Sequence, residues 1–258
     1  MTLFRDLYEY REMIISLVRR DLKGRYKGSV LGFFWTFLNP LLQLCVYTMV
    51  FSIIMRNGIR DFYLFLFVAL VPWLFFSTSL SGGVSCIWQQ QDMVKKIYFP
   101  REVLPVAYVT AQFINMLLSL LVVLAVLLVS GKGISLTAML YLPLIMVIEY
   151  MLALGAALIV SSAAVYVRDL QYLMGIVTLA WQFMTPIMYG IDMVPERFLG
   201  IFYLNPMTPV ILAYRDILYY KKAPDVSTLL SAACFGTILL LAGFLVFGWL
   251  KRRFAEEM

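Results

Sequence analysis

The sequence predicts an all-α integral membrane protein with six transmembrane helices and an amphipathic helix at its N-terminus. Three observations carry this. Hydrophobic residues make up 62% of the 258 residues and charged residues only 14%, against about 25% charged in an ordinary soluble domain. The apolar residues come in long runs: residues 102–130 hold one charge, Glu102, at the start, and residues 226–250 hold none. About 20 apolar residues in a helix cross the hydrocarbon core of a bilayer, so the chain has room for about five to seven crossings and no soluble domain.

The elements follow in order. Residues 3–27 place Leu3, Leu7, Tyr10, Ile14 and Leu17 at helical spacing among many charges. Such a helix is too polar to span and suits the headgroup plane. The first thirty residues are too charged to read as a removable signal peptide. The first span is expected over roughly 30–55, kinked at Pro40. The second covers roughly 62–81, and a polar stretch, 82–103, follows. The third runs over 104–130, with a turn at Gly131-Lys132-Gly133. The fourth covers 135–166 and ends at Arg168-Asp169. The fifth spans 171–190. A mixed segment, 191–226, carries Pro195, Pro206, Pro209 and Pro224. The sixth span, 227–250, stops at Lys251-Arg252-Arg253.

Six spans put both termini on one face. Of the Lys and Arg residues, the terminal face takes two for every one on the opposite face, where Arg56, Arg60, Lys132, Arg197, Arg215, Lys221 and Lys222 fall. The positive-inside rule then expects cytoplasmic termini, and the net charge of +6 reflects an anionic inner leaflet rather than nucleic acid.

Composition excludes several chemistries. There is no histidine, which removes Ser-His triads and His-ligated metals. Cys45, Cys86 and Cys234 have no CxxC spacing and read as small buried hydrophobes. Leu80-Ser81-Gly82-Gly83-Val84 is similar to the signature of ATP-binding cassette ATPases, but the chain has no GxxxxGK[ST] phosphate loop, and Ser130-Gly131-Lys132-Gly133 lacks the upstream glycine. The match is therefore accidental, and any ATPase must be another polypeptide. No catalytic, cofactor-binding or metal-ligating residue is expected on this chain.

Polar residues inside spans are costly and normally face other helices or a conduit. Thr178, Gln182, Thr185 and Tyr189 share one face of the fifth span if it is helical throughout. Gln112, Asn115 and Ser119 do so on the third, and Asn39 and Gln43 on the first. Hydroxyls and amides suit neutral sugars, although interhelical hydrogen bonding explains the same residues. Phe33, Phe37, Tyr47 and Phe51 on the first span, with Tyr63, Phe67 and Trp73 on the second, offer rings for sugar stacking or for plain packing. Glu149, deep in the fourth span, is either a proton-coupling group or a hydrogen-bonded structural carboxyl.

Several spaced motifs resemble one family. Residues 93–105, MVKKIYFPREVLP, are similar to the LIKKVYFPREILP stretch of ABC-2 type permeases that export polysaccharides. Arg19-Arg20-Asp21-Leu22-Lys23, Arg25-Tyr26-Lys27-Gly28-Ser29, Leu31-Gly32 and Trp35 to Pro40 resemble the family's N-terminal pattern. Val167-Arg168-Asp169-Leu170 resembles its RDL element, Trp181 to Tyr189 its TPIxY signature, and Asn205-Pro206 its NP element. The resemblance covers nearly the whole chain. It implies a single transmembrane domain over 1–258, with two short re-entrant helices in the external segment 191–226 before the last span. It implies a homodimer in the cell inner membrane with two copies of an ABC ATPase, which hold the ATP and Mg.

The implied activity is ATP-driven export of a polyprenyl-diphosphate-linked polysaccharide, O-antigen before capsule or teichoic acid. A coupling helix within 82–103 would dock the ATPase through Trp88, Gln89, Asp92, Lys95 and Lys96, with Trp88 as the aromatic anchor. Arg19, Arg20, Lys23, Arg25 and Lys27 would form a collar for the lipid diphosphate, although the positive-inside rule alone explains them too. Phe33, Phe37, Asn39, Gln43, Thr178, Gln182, Thr185 and Tyr189 would line the conduit, with the first-span and fifth-span faces meeting across the dimer. An ion-coupled carrier would instead show inverted repeats and several buried charges, and a membrane-embedded transferase would show clustered carboxylates. A different ABC-2 substrate, such as a drug or haem, is opposed by the PRE-LP and RDL elements.

Overall fold

The computed structural model describes residues 2–24, 28–54 and 58–254. The protein is all-helical, with 80% of residues in helix and no strand among the described residues. The N-terminal segment forms α1 (Thr2–Glu9) and α2 (Arg11–Gly24), joined almost without a break, since the amide of Ile14 donates to the carbonyl of Tyr10. Of its predicted apolar stripe, Leu7, Tyr10, Ile14 and Leu17 are half-buried; Val18, beside them, is buried against Ala107 and Ala111.

The first apolar run is one helical rod. A 3-10 turn at Gly32–Phe34 leads into α3 (Trp35–Thr48), which carries Pro40 and continues as a π-helical stretch over Met49–Ile54. Then comes α4 (Phe62–Gly83), buried from Phe62 almost to its end. It touches α3, α6 (Val103–Val129), α8 (Leu142–Tyr166), α9 (Leu170–Phe183) and α11 (Met207–Leu218), and is the hub of the fold. Between α4 and α6 lie a 3-10 turn, Trp88–Gln90, and the short α5 (Gln91–Lys96). The fourth run is split into α7 (Leu136–Met139) and α8, because Pro143 opens α8 and favours a fresh helix start. After α9 come α10 (Glu196–Leu204) and α11, then α12 (Val226–Leu250).

Four stretches among the described residues are long and apolar enough to cross a membrane: α4, α6, α7–α8 and α12. The fifth predicted span differs. Helix α9 has 14 residues, about 21 Å at ~1.5 Å per residue, short of the ~30 Å hydrocarbon core. It stops at Phe183 because Pro186 follows, and the residue before a proline is driven out of the helical region. Residues 185–190 continue as a non-helical strand of chain.

Glycines set the closest helix contact. A Cβ on Gly155 of α8 would collide with the backbone of Leu239, and one on Gly243 of α12 with the backbone of Gly155. Gly236 meets the Ile148 carbonyl in the same way. Small residues let backbones approach where lipid supplies no hydrophobic drive for association. The LSGG match has the same explanation: Gly82 lies under the Tyr108 ring and Gly83 against Ala157.

Candidate functional site

Two cavities of about 280 Å³ each open along α4. One is lined by Thr36, Asn39 and Gln43 of α3 and by Gln112, Asn115 and Ser119 of α6. The other is lined by Gln43 and Tyr47 of α3, Trp73, Ser77 and Ser81 of α4, and Thr178 and Gln182 of α9. Gln43, Leu74 and Thr78 belong to both, so the two form one polar groove. Gln182 Nε2 donates to the Tyr47 hydroxyl at 3.2 Å, and the Ser119 hydroxyl donates to the Thr36 carbonyl at 3.4 Å. Thr178 donates back to Met174 O at 2.7 Å within its own helix. Gln112 Nε2 and Asn115 Oδ1 are buried without a hydrogen-bond partner. An unpaired buried amide costs about 1–3 kcal/mol, so these two groups favour a hydroxyl-bearing occupant or water.

The groove bears on two expectations. The first-span and fifth-span faces meet inside this chain, where Gln182 donates to Tyr47. Thr185 and Tyr189 do not extend the face of Thr178 and Gln182, because α9 has already ended. Thr185 is fully buried, donating to Trp181 O at 2.9 Å. Tyr189 turns back and donates to the Phe183 carbonyl. Phe37 packs edge-on against Phe34 with ring centres 6.1 Å apart, and the side chain of Phe33 lies outside the described residues. Of the second-span rings, Phe67 and Trp73 are both buried core, at 0% and 2% exposed, so neither has an open face to offer a sugar, although Trp73 backs the groove wall.

Two side chains hold the non-helical 185–190 segment, and sequence spacing gave neither of them a role there. Asn205 Oδ1 accepts from Trp181 Nε1 at 2.8 Å and from the Met207 amide at 3.0 Å. Its Nδ2 donates to Met184 O at 3.1 Å and to Thr185 Oγ1 at 2.9 Å. Arg215, 1% exposed, donates from Nη1 to Tyr189 O at 3.1 Å and from Nη2 to Ile187 O at 2.6 Å. Its guanidinium lies 3.6 Å from the centre of the Phe65 ring. These bonds supply the partners that an interrupted helix lacks. The signal available in the sequence was the NP pair and an Arg-Asp pair, Arg215-Asp216, after an apolar turn.

At the terminal end, Arg20 of α2 and Gln89 line a common cavity of about 200 Å³ with Asp21 and Gln90. The collar and the coupling segment are thus neighbours. Arg19 and Lys23 are exposed on the same helix, and Arg25 and Lys27 lie outside the described residues. Trp88 does not face outward as an anchor for a partner. Its Nε1 donates to Ala164 O at 3.1 Å, and the Arg168 guanidinium stacks on it at 4.4 Å. The outward face carries Gln89, Asp92, Lys95 and Lys96; Tyr98, 97% exposed, extends it.

The PRE motif acts as a clasp. Glu102 is buried and pairs with Lys251, while Arg101 donates to Lys251 O at 2.7 Å. Tyr166 donates to Leu250 O at 2.7 Å. Both bonds fasten the end of α12 to the start of α6 and the end of α8.

Glu149 Oε2 accepts from the Tyr214 hydroxyl at 2.6 Å, which ties α8 to α11, and its Oε1 is buried without a hydrogen-bond partner. Burial pushes the Cys86 thiol, in the loop after α4, up to about 12, so it stays an unreactive thiol.

The chain thus combines long apolar helices with a polar groove between them. Residues 12–219 match the family described as ABC-2 type transporter, and the chain belongs to that family. It is 37% identical over 258 residues, 99% of both chains, to the O-antigen export system permease protein RfbA of Myxococcus xanthus. It is 32% identical to a protein of the same name from Klebsiella pneumoniae, over 95% of this chain and 94% of that one. Polysialic acid transport protein KpsM of Escherichia coli is 22% identical, over 94% and 95% respectively.

Proposed function

We propose that this chain is the transmembrane subunit of an ATP-driven exporter that moves a polyprenyl-diphosphate-linked polysaccharide, O-antigen in the first place, across the inner membrane. The observation that carries the reading is the full-length 37% identity to a permease named for O-antigen export. The groove supports it, because hydroxyls and amides exchange hydrogen bonds with sugar hydroxyls that cannot shed water without partners. A capsular polysaccharide is the second reading, favoured by the similarity to KpsM at 22%. Deletion of the gene should abolish surface polysaccharide and leave lipid-linked glycan inside the cell. Unchanged surface polysaccharide would refute the reading.

In this proposal the rod of α3 and its π-helical extension, α4, α6, α7–α8, α9 with its non-helical continuation, and α12 make the six crossings. Both termini are cytoplasmic, and α10 and α11 are re-entrant on the outer side. Two copies pair with two ATPase subunits, and Gln89, Asp92, Lys95 and Lys96 face the ATPase. The collar Arg19, Arg20, Lys23, Arg25 and Lys27 attracts the lipid diphosphate. Phe37, Asn39, Gln43, Thr178 and Gln182 line the path. Replacing both Lys95 and Lys96 by Glu should lower ATPase recovery in a pull-down about tenfold; equal recovery with normal export would remove these lysines from the contact. Gln182→Trp should block export with the complex still assembled, while Val177→Trp, on the opposite, outer face of α9, is tolerated. Export through Gln182→Trp at the normal rate would move the path elsewhere.

A further inference from the structure

A cavity larger than either part of the groove lies away from it, at the end of the molecule opposite the termini. Its volume is about 670 Å³, and it sits between the start of α4, the 190–192 turn, α10, α11 and the start of α12. The volume falls within the ~300–1,000 Å³ of small-ligand sites. No residue lines both it and the groove. From Phe65 here to Leu74 there is about 13 Å along α4, at ~1.5 Å per residue.

Its lining is mixed in a particular way. Arg215 lies in the wall, 1% exposed, with Nη1 and Nη2 committed to carbonyls and Nε buried without a partner. The guanidinium therefore forms the back of the wall rather than a surface that a ligand touches. Asp216 is paired with Lys222 at 3.2 Å. Burial holds the Asp216 carboxyl above its ordinary range against the pull of Lys222, whose own ammonium is raised by the contact. That leaves Asp192 and Asp225, which make no ion pair among the described residues, as open hydrogen-bond acceptors. Tyr203 and Tyr220, 52% and 55% exposed, supply ring faces at the rim.

Rings flanking open carboxylates match the chemistry of an uncharged saccharide. The rings cover its C–H faces, and the carboxylates of Asp192 and Asp225 accept from its hydroxyls. An acidic glycan fits less well, because the three carboxylates of the lining outnumber its two cations, Arg215 and Lys222. From this combination of cavity, open carboxylates and flanking tyrosines we infer that the protein holds a second, outer-end binding site for a neutral segment of the polysaccharide. The inference rests on the polysaccharide reading above and adds a station beyond the groove.

The test uses the full chain with its ATPase in lipid nanodiscs. The probe is the neutral glycan released by mild acid from the strain's own lipid-linked polysaccharide, observed by saturation-transfer NMR. Wild-type complex should transfer saturation to the glycan, and Tyr220→Ala and Asp225→Asn should each cut the signal at least fivefold. Both positions are exposed, so assembly with the ATPase should survive, and recovery of the complex checks it. Leu245→Ala, on the outer face of α12 and in the lining of neither cavity, should leave the signal unchanged, and polysialic acid should not compete. Full signal in the two cavity variants would overturn the site, as would no signal at all from an exporting wild-type complex. Failure of the export reading itself is seen separately, as unchanged surface polysaccharide in the deletion strain.

Discussion

Helices α4 and α12 are alike in composition and opposite in position. Both are long, and among the described residues neither carries a charged side chain within its length. Yet 78% of the most apolar stretch of α4 is buried inside the chain, against 17% for α12. Helix α4 is wrapped by five other helices and supplies one wall of the groove. Helix α12 packs chiefly on α8, backbone to backbone through Gly155, Gly236 and Gly243, and is fastened at its end by Glu102 and Arg101. In a membrane, protein and lipid are equally apolar, so composition does not separate a hub from a rim. What separates them is steric: α12 has glycines where another backbone must approach, while α4 has Phe, Leu and Trp where side chains must fill a volume.

The comparison can be broken at four points, from the largest effect down. Gly155→Leu should prevent α12 from seating, because its side chain would meet the backbone of Leu239 and no rotamer change relieves that. The expected outcome is no monodisperse protein on size-exclusion chromatography. A folded Gly155→Leu protein would show that the glycine contact does not set the position of α12. Leu66→Ala, at a site 0% exposed in the hub, should cost about 2–4 kcal/mol through lost contacts and a cavity, read as a lowered unfolding midpoint in detergent.

Lys251→Met should cost about 2 kcal/mol, because it leaves the Glu102 carboxylate buried without its partner. This is less than the ~3–5 kcal/mol of a fully buried broken pair, since the Lys251 side chain is 37% exposed. Glu102→Gln with Lys251→Met should recover part of the loss, and a double variant no better than the single would mean the pair is not the clasp. Leu245→Ala, on the outer face of α12 and 75% exposed, should stay within about 0.5 kcal/mol of wild type. A drop comparable to Leu66→Ala would reveal that this face is covered in the assembled protein.

Much of this was legible beforehand. The apolar runs located every helix that stands as a span, with boundaries near those observed: 62–81 for Phe62–Gly83, 104–130 for Val103–Val129, and 227–250 for Val226–Leu250. Periodicity marked Ile14 and Leu17, which are half-buried in α2, but not Val18, which is the residue of that helix that is buried. Gln43, Thr178 and Gln182 were recognisable as groove residues because a polar side chain in an apolar helix needs a reason to be there. Thr185 and Tyr189 were misplaced by extending helical spacing through Pro186, and Trp88 by assuming that an aromatic near a surface loop must face a partner.

The sequence by itself determined the class of structure: helices in a bilayer, the residues at each crossing, and the motifs of the family. These depend on local energetics, on hydrophobic run length, charge sidedness and proline, which act over one or two helical turns. Only the tertiary structure decided which helix is the hub, that α3 and α9 share a groove within one chain, and that Asn205 and Arg215 hold the non-helical segment after α9. Those outcomes depend on contacts between residues far apart in the chain. Gln182 lies 135 positions from Tyr47, and Lys251 lies 149 from Glu102. No local pattern encodes such a pairing, because it depends on how whole helices pack.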